Sequence, residues 1–403
     1  MEQPVSHESV SNPQFCEKRM SQSGPLRLGV IGLGNIAKQH IENVRSGQVV
    51  DCEIAALCSR SSSGLALEMN AAHFTDYREL IASGTCDAVL IATPTFTHYD
   101  IGAAALLSGL HVMMEKPIGL SVQQGEELLA LQQPGQVFAL MLNQRTDPLF
   151  VAMRDLIQQG TLGQITRTHW TMTNWFRPEI YFQVSDWRAT WRGEGGGLLV
   201  NQCIHNLDIF QWLGGMPCSV KAFCHFGRHH EIEVEDDATA YFEYENGATG
   251  VFVGSTGEAP GVNRLDIVGD KGGLHFDGER LVLTKNVEAT SQYSATTRDM
   301  FGMSDYTEQN ITLDRVGNQH AAVLSNFTRA ISEGEALIAP AADGINSLAL
   351  ANSMLLSTWE NEAVALPLDS ARYQAALDTR IASSSLRGAS DIKANIDMSA
   401  SYR

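Results

Sequence analysis

Leu26-Arg27-Leu28-Gly29-Val30-Ile31-Gly32-Leu33-Gly34-Asn35-Ile36-Ala37 is the stretch on which the fold turns. A short apolar run ends at Ile31, and Gly32-x-Gly34-x-x-Ala37 follows it in the G-x-G-x-x-A spacing, at the mouth of a helix expected over 36–45. Gly32 permits a tight turn, Gly34 lets the backbone approach a pyrophosphate, and Ala37 is small enough for helix and strand to lie close. The first N–H groups of the helix, those of Asn35 and Ile36, then face the anion. Further along, β-branched runs at 27–31, 53–59, 88–92, 111–114 and 137–142 alternate with helix-length segments at 36–45, 96–108 and 122–132. That alternation predicts βαβ units, hence an α/β Rossmann domain over 26–145 with a parallel, doubly wound sheet.

The run at 53–59 ends on Ser59-Arg60-Ser61, where a site for NAD usually carries Asp or Glu against the adenosine ribose. Arg60 flanked by hydroxyls suits a 2′-phosphate, so the expected cofactor is NADP or NAD, with NADP favoured; an Arg after a strand is equally often simply solvated.

Beyond Asp147 and a helix near 150–159 the pattern changes. Alternating runs at 165–172, 219–225, 238–244, 249–254 and 264–268 read as antiparallel strands, joined by turns such as Glu245-Asn246-Gly247 and interrupted by one helix at 199–213. They predict an α+β domain over 146–366 with a large open, mostly antiparallel sheet. Its late helices, near 318–332 and 344–360, are placed to pack back on the first domain. The first 25 residues are expected to be disordered, and the extension 367–403 to be mobile from about 383.

At 403 residues the chain exceeds the 250 to 300 or so at which one core stops growing. A formal charge of −18 without a Lys/Arg stripe argues against nucleic acid. No apolar run reaches the ~18 residues of a membrane span, and no signal-peptide h-region opens the sequence. Seven scattered cysteines suggest reduced thiols and a cytoplasmic setting. Cys224, His225, His229 and His230 look like metal ligands by type, but strand alternation sends Cys224 and His225 to opposite faces, so no metal is expected.

In a doubly wound sheet the ligand lies beyond the carboxyl ends of the strands. Two loops there stand out: Thr93-Pro94-Thr95-Phe96-Thr97-His98 and Glu115-Lys116-Pro117. Thr93, Pro94, His98, Glu115 and Lys116 are therefore candidates on the cofactor side. A Lys near the reacting carbon donates a hydrogen bond and stabilises alkoxide charge; from spacing alone, a surface Lys before a Pro turn fits equally well. The aromatic segment from Trp175 to Trp191, with Trp187-Arg188 inside it, suits the C–H face of a pyranose, and also suits core or subunit packing.

Four features in order resemble the glucose-fructose oxidoreductase/inositol dehydrogenase (Gfo/Idh/MocA) family: Gly32-x-Gly34-x-x-Ala37, Ala92-Thr93-Pro94, Glu115-Lys116-Pro117, and Gly195-Gly196-Gly197 running to His205-x-x-Asp208. The resemblance covers about 26–366. It implies an NAD(P)-dependent oxidoreductase acting on the CH–OH group of a sugar, glycoside or cyclitol, with C3 of a pyranoside as an analogy. It makes Lys116 catalytic and maps the family's Asp-x-x-x-His pair onto Asn201 and His205, so an amide stands where a carboxylate is usual. With one helix carrying both, the acid/base role falls to His205 and Lys116. It also places Trp187 and Arg188 near the nicotinamide and substrate, and Arg145, with Asn201 and His205, near the substrate, where the aromatic segment adds Trp175 and Trp191 as candidates. A homodimer or homotetramer is expected, to cover the open sheet. Two other readings remain: a glycosidase-like member that retains its dinucleotide, and a sugar-sensing regulator that does not turn over.

Overall fold

A computed structural model describes residues 24–60, 64–313, 318–387, 392 and 395. Ser61, most of the first 25 residues and nearly all of the chain past 387 lie outside the described residues.

Six strands form the first sheet: β1 (Leu26–Ile31), β2 (Cys52–Cys58), β3 (Ala72–Phe74), β4 (Ala88–Ile91), β5 (His111–Met114) and β6 (Phe138–Leu140). Their order is β3-β2-β1-β4-β5-β6 and every pairing is parallel. Ala88 to Ile91 are all buried, as a strand covered on both faces requires, so β4 has no alternation. The order reverses between β1 and β4, which opens a crevice at their carboxyl ends. The three-residue β3 had no sequence signal; it is too short to show a period.

The second sheet has nine strands: β7 (Ile165–Met172), β8 (Ser219–Phe226), β9 (Glu235–Glu243), β10 (Thr249–Ser255), β11 (Asn263–Gly269), β12 (Gly272–Phe276), β13 (Leu281–Asn286), β14 (Tyr306–Ile311) and β15 (Val364–Ala365). They run β14-β13-β12-β11-β7-β10-β9-β8-β15, and only β7 against β10 is parallel. One face is covered by helices. Buried Ala222 donates its N–H to Ser357 Oγ at 3.0 Å, on the helix Gly344–Glu360. That helix also reaches the first domain, where Asn352 Oδ1 accepts the Val122 N–H at 3.0 Å. The helix Gln319–Ser332 does likewise, its cap Asn318 donating to Asn43 Oδ1 at 2.7 Å.

Two expectations change. Asn201 does not lie on the helix with His205: the helix begins at Ile204, and Asn201 sits in the turn before it. The Asn201 carbonyl, which would accept the His205 N–H in a continuous helix, accepts from Lys116 Nζ instead, at 2.8 Å. The chain from 384 to 387 is also fastened, not loose. Arg192 Nε donates to Ser384 O at 3.0 Å, Ser384 Oγ to Glu233 Oε1 at 2.7 Å, and the Arg387 N–H to Asp186 O at 2.7 Å. Before it, the helix Ser370–Ser383 stacks Tyr373 on Trp359, with ring centroids 5.5 Å apart.

Candidate active site

Gly32 has φ +92°, and a Cβ there would lie 2.5 Å from Ala92 O, so the β1 turn leaves room for glycine alone. Gly34 differs. Its φ of −69° suits any residue, and a Cβ would meet no atom within 4 Å. The space above the N-terminus of the helix Asn35–Arg45 is therefore open, the exposed Asn35 and the half-buried Ile36 carry its first N–H groups, and Ala37 is fully buried against the strand. These residues fit a dinucleotide pyrophosphate. At the end of β2, Arg60 is exposed, and Ser59 Oγ lies 3.1 Å from His73 Nε2.

Lys116 follows β5. Its ammonium donates to Asn201 O at 2.8 Å and to Asn201 Oδ1 at 3.3 Å, which joins the two domains at the strand ends. Burial lowers the Lys116 pKa to about 8; Glu115 and Glu194 oppose the shift, Arg188 and Arg177 add to it. His205 sits on the first turn of its helix, and its Nδ1 is buried with no hydrogen-bond partner among the described residues. Burial, reinforced by the charge of Lys116, presses the His205 pKa well below that of a free imidazole, so the ring is neutral and weakly basic.

Asn201 Nδ2 donates to Glu194 Oε1 at 2.5 Å. Glu194 Oε2 accepts the Ala189 N–H at 2.5 Å, and the Arg188 guanidinium lies 3.9 Å from Oε1. Arg188 in turn donates to the Tyr181 hydroxyl at 2.7 Å and lies over the Trp187 ring, 4.8 Å from its centroid; Gln202 also donates to that hydroxyl, at 3.2 Å. Underneath, Glu235 accepts the N–H groups of Gly197 and Leu199 at 2.9 Å and pins the triple-glycine turn; burial pushes its carboxyl up to about 7. Gly197 has no alternative, because a Cβ would lie 2.3 Å from Glu235 O.

Thus Lys116 meets Asn201 and His205, and Asn201 leads through Glu194 to Arg188 and Trp187, while Thr93 and Pro94 are half-buried in the loop after β4, where Thr97 Oγ1 donates to Thr93 Oγ1 at 2.7 Å. Five residues expected to contact ligand have side chains that also bond or pack within the scaffold. His98 is 1% exposed, with its two ring nitrogens at 2.8 Å from Pro117 O and 2.9 Å from Thr93 O, and it straps the two loops together. The Glu115 carboxylate is buried against His40 Nε2 at 2.7 Å. Arg145 is locked between Asp208 and Asp343. Trp175 is buried and donates to Asn206 Oδ1 at 3.0 Å, and Trp191 packs between Phe226 and Trp359. The histidines set aside as metal ligands gather on carboxylates: His225 and His229 on Asp237, His230 on Asp236.

Sequence reasoning passed over Glu194, Glu235, Tyr181 and Gln202. Glu194 had a signal, an acidic residue set directly before Gly195-Gly196-Gly197 in an otherwise apolar and glycine-rich stretch. Glu235 had none, because it sits in an acidic run that reads as solvated.

The family model for oxidoreductases with an NAD-binding Rossmann fold matches residues 26–142, and that for the GFO/IDH/MocA C-terminal domain matches residues 150–275. The chain belongs to the GFO/IDH/MocA family of oxidoreductases. It is similar to the myo-inositol 2-dehydrogenase of Thermotoga maritima, 25% identical over 356 residues that span 85% of this chain and 98% of that protein. It is also similar to the NADP+-linked scyllo-inositol 2-dehydrogenase of Bacillus subtilis, 25% identical over 72% of this chain and 82% of that one. Among solved structures, the WlbA dehydrogenase of Bordetella pertussis in complex with NADH and UDP-GlcNAcA superposes with a TM-score of 0.73 at 23% identity, covering 86% of this chain and all of that one; this likeness speaks for the fold. As a GFO/IDH/MocA member the chain pairs a dinucleotide-binding sheet with an open sheet, and Lys116 stands at their junction.

Proposed function

We propose that the chain transfers a hydride between NADP or NAD and a secondary carbinol of a sugar, glycoside or cyclitol. The observation that carries this is the Lys116 ammonium held at 2.8 Å on Asn201 O and close enough to His205 to depress its pKa. When bound, the dinucleotide supplies the hydride acceptor or donor at its nicotinamide. As the free amine, Lys116 gives its two N–H groups to Asn201 and turns its lone pair to the substrate hydroxyl; once it holds the proton, its third N–H binds the substrate oxygen. An amine with a pKa of about 8 is better matched to taking the hydroxyl proton at neutral pH than His205, so the base role expected of His205 passes to Lys116. His205 then offers a neutral imidazole to a second hydroxyl.

The inositol dehydrogenases among its relatives support a polyol substrate; C3 of a pyranoside is the first carbon to test. An exposed Arg60 and no carboxylate in Ser59-Arg60 favour NADP. The test is absorbance at ~340 nm, where reduced nicotinamide is followed, with a panel of glycosides, free sugars and inositols against NADP+ and NAD+. Lys116→Ala should lower turnover by ~10²-fold or more while the dinucleotide still binds. Oxidation by the wild type should rise with pH through about 8, as the amine loses its proton. Hydride transfer to no member of the panel, or near-normal turnover in Lys116→Ala, overturns the proposal.

A further inference from the structure

In the common family pattern a carboxylate stands four residues before the histidine; here that position is Asn201, an amide without charge. The carboxylate that meets it comes from elsewhere in the chain. Glu194 Oε1 lies 2.5 Å from Asn201 Nδ2, and Asn201 Oδ1 lies 3.3 Å from Lys116 Nζ. We propose that Glu194 is the positioning residue of this site, supplying through the Asn201 amide the negative charge and the orientation that hold Lys116.

An amide is asymmetric, so its direction matters. A carboxylate accepts and cannot donate, and an ammonium donates and cannot accept. Glu194 on one side and Lys116 on the other therefore leave Asn201 one orientation, Nδ2 toward the carboxylate and Oδ1 toward the amine. With a neutral, bidirectional group in place of Glu194, only Lys116 holds the amide's direction, and only while it is an ammonium; an amide turned with its NH2 toward the amine then favours the uncharged form. The same carboxylate reaches the cofactor-side loop: Oε2 accepts the Ala189 N–H at 2.5 Å, and Ala189 has φ +57°, a left-handed backbone that alanine rarely adopts. One buried group thus fixes the catalytic amine and the Trp187-Arg188 turn together.

The charges around Lys116 show what its loss would do. Glu115 faces it from its own loop, Arg177 and Arg188 from the aromatic segment, Glu194 from the turn before the glycines, and His205 is neutral. Around Glu194 itself stand Arg188, Lys116 and, beneath the turn, Glu235. Without Glu194, two guanidiniums oppose the Lys116 ammonium and Glu115 alone among these groups supports it, so the amine should lose its proton at lower pH.

This inference concerns the site of the hydride-transfer reading, yet its test reads the amine directly and needs no substrate, so the two fail separately. The full-length chain is labelled with trace acetic anhydride across a pH series, and the reactivity of Lys116 is followed by peptide mass spectrometry. Glu194→Gln should move the Lys116 midpoint down by about one pH unit, whereas Glu194→Asp, which keeps the charge, should move it by less than about half as much. The double variant Glu194→Gln/Asn201→Asp transfers the carboxylate one link closer to the amine and should bring the midpoint back to the wild-type value or above. Glu194→Ala serves as the neutral variant where Glu194→Gln does not fold. A midpoint unchanged in the neutral variants overturns the proposal, as does a double variant that titrates like Glu194→Gln.

Discussion

A guanidinium whose side chain is 1% exposed, with carboxylate oxygens at 2.6 Å from Asp208 and 2.5 Å from Asp343, is a structural charge. Arg145→Met leaves Asp208, itself 2% exposed, without its partner, and stranding a buried charge costs about 3–5 kcal/mol. Urea unfolding should show a loss of that size, and the folded fraction should keep its KM for substrate. A stable variant with a raised KM would return Arg145 to the substrate. That Lys116 would face Asn201 and His205 was legible because each end of the contact sits in its own short motif, Glu115-Lys116-Pro117 and Asn201 to His205. Among the partners that tune them, Glu194 lies only seven residues from Asn201, but others come from distant segments that no local pattern joins: His40 and Glu115 are 75 residues apart, and Glu235 meets Gly197 across 38. Burial opposes the ionisation of Glu115, but the His40 hydrogen bond and the charges of His40, His320 and Lys116 outweigh it and hold the carboxyl at about 2. Because the folded value lies below the ordinary one of 4.5, this stabilisation is present above pH 4.5 and is lost as pH falls toward 2.

Among the elements, the helix Ser370–Ser383 and the residues 384–387 after it brace the segment that carries Trp187 and Arg188. Arg192 reaches back to Ile381 O and Ser384 O at 3.0 Å, and Arg387 reaches Asp186 O and Glu231 O at 2.7 Å. The Ser-rich sequence there gives no periodicity, and its fastening depends on Arg192, which lies 192 residues before Ser384, so mobility was the natural expectation. The strand β14 was missed for another reason. β14, Tyr306-Thr307-Glu308-Gln309-Asn310-Ile311, is an edge strand exposed along nearly its whole length and shows no apolar alternation. The strands β7 to β11 were legible because one face of each is buried. Truncation after Ser383 removes the brace and leaves the helix. Limited proteolysis should then cut within 176–190 several-fold faster than in the full chain, with a small change in Tm. Equal cleavage rates would mean that the loop holds itself.

At the scale of the molecule, the second sheet leaves one face without helices of its own to cover it among the described residues. Strand register lines up Lys221, Tyr241, Val251, His169, Asp266 and His275 across it, with Phe223, Thr239, Val253, Thr171 and Arg264 in the next row. Phe223 is 57% and Tyr241 43% exposed, while the charges nearby are largely neutralised locally, Arg264 and His275 both meeting Asp266 at 2.8 Å. Copies of a chain with net charge −18 repel each other, so any surface on which they associate must be locally neutral and partly apolar. This face meets both conditions, and a two-fold axis would set it against itself. The expected occupant is a second copy. Sedimentation should give at least twice the mass of one chain at micromolar concentration, and Phe223→Glu/Tyr241→Glu should give the single-chain mass with a Tm that no longer rises with concentration. A wild-type chain that sediments as one copy at every concentration, or a double variant that keeps the larger mass, places the interface elsewhere or removes it.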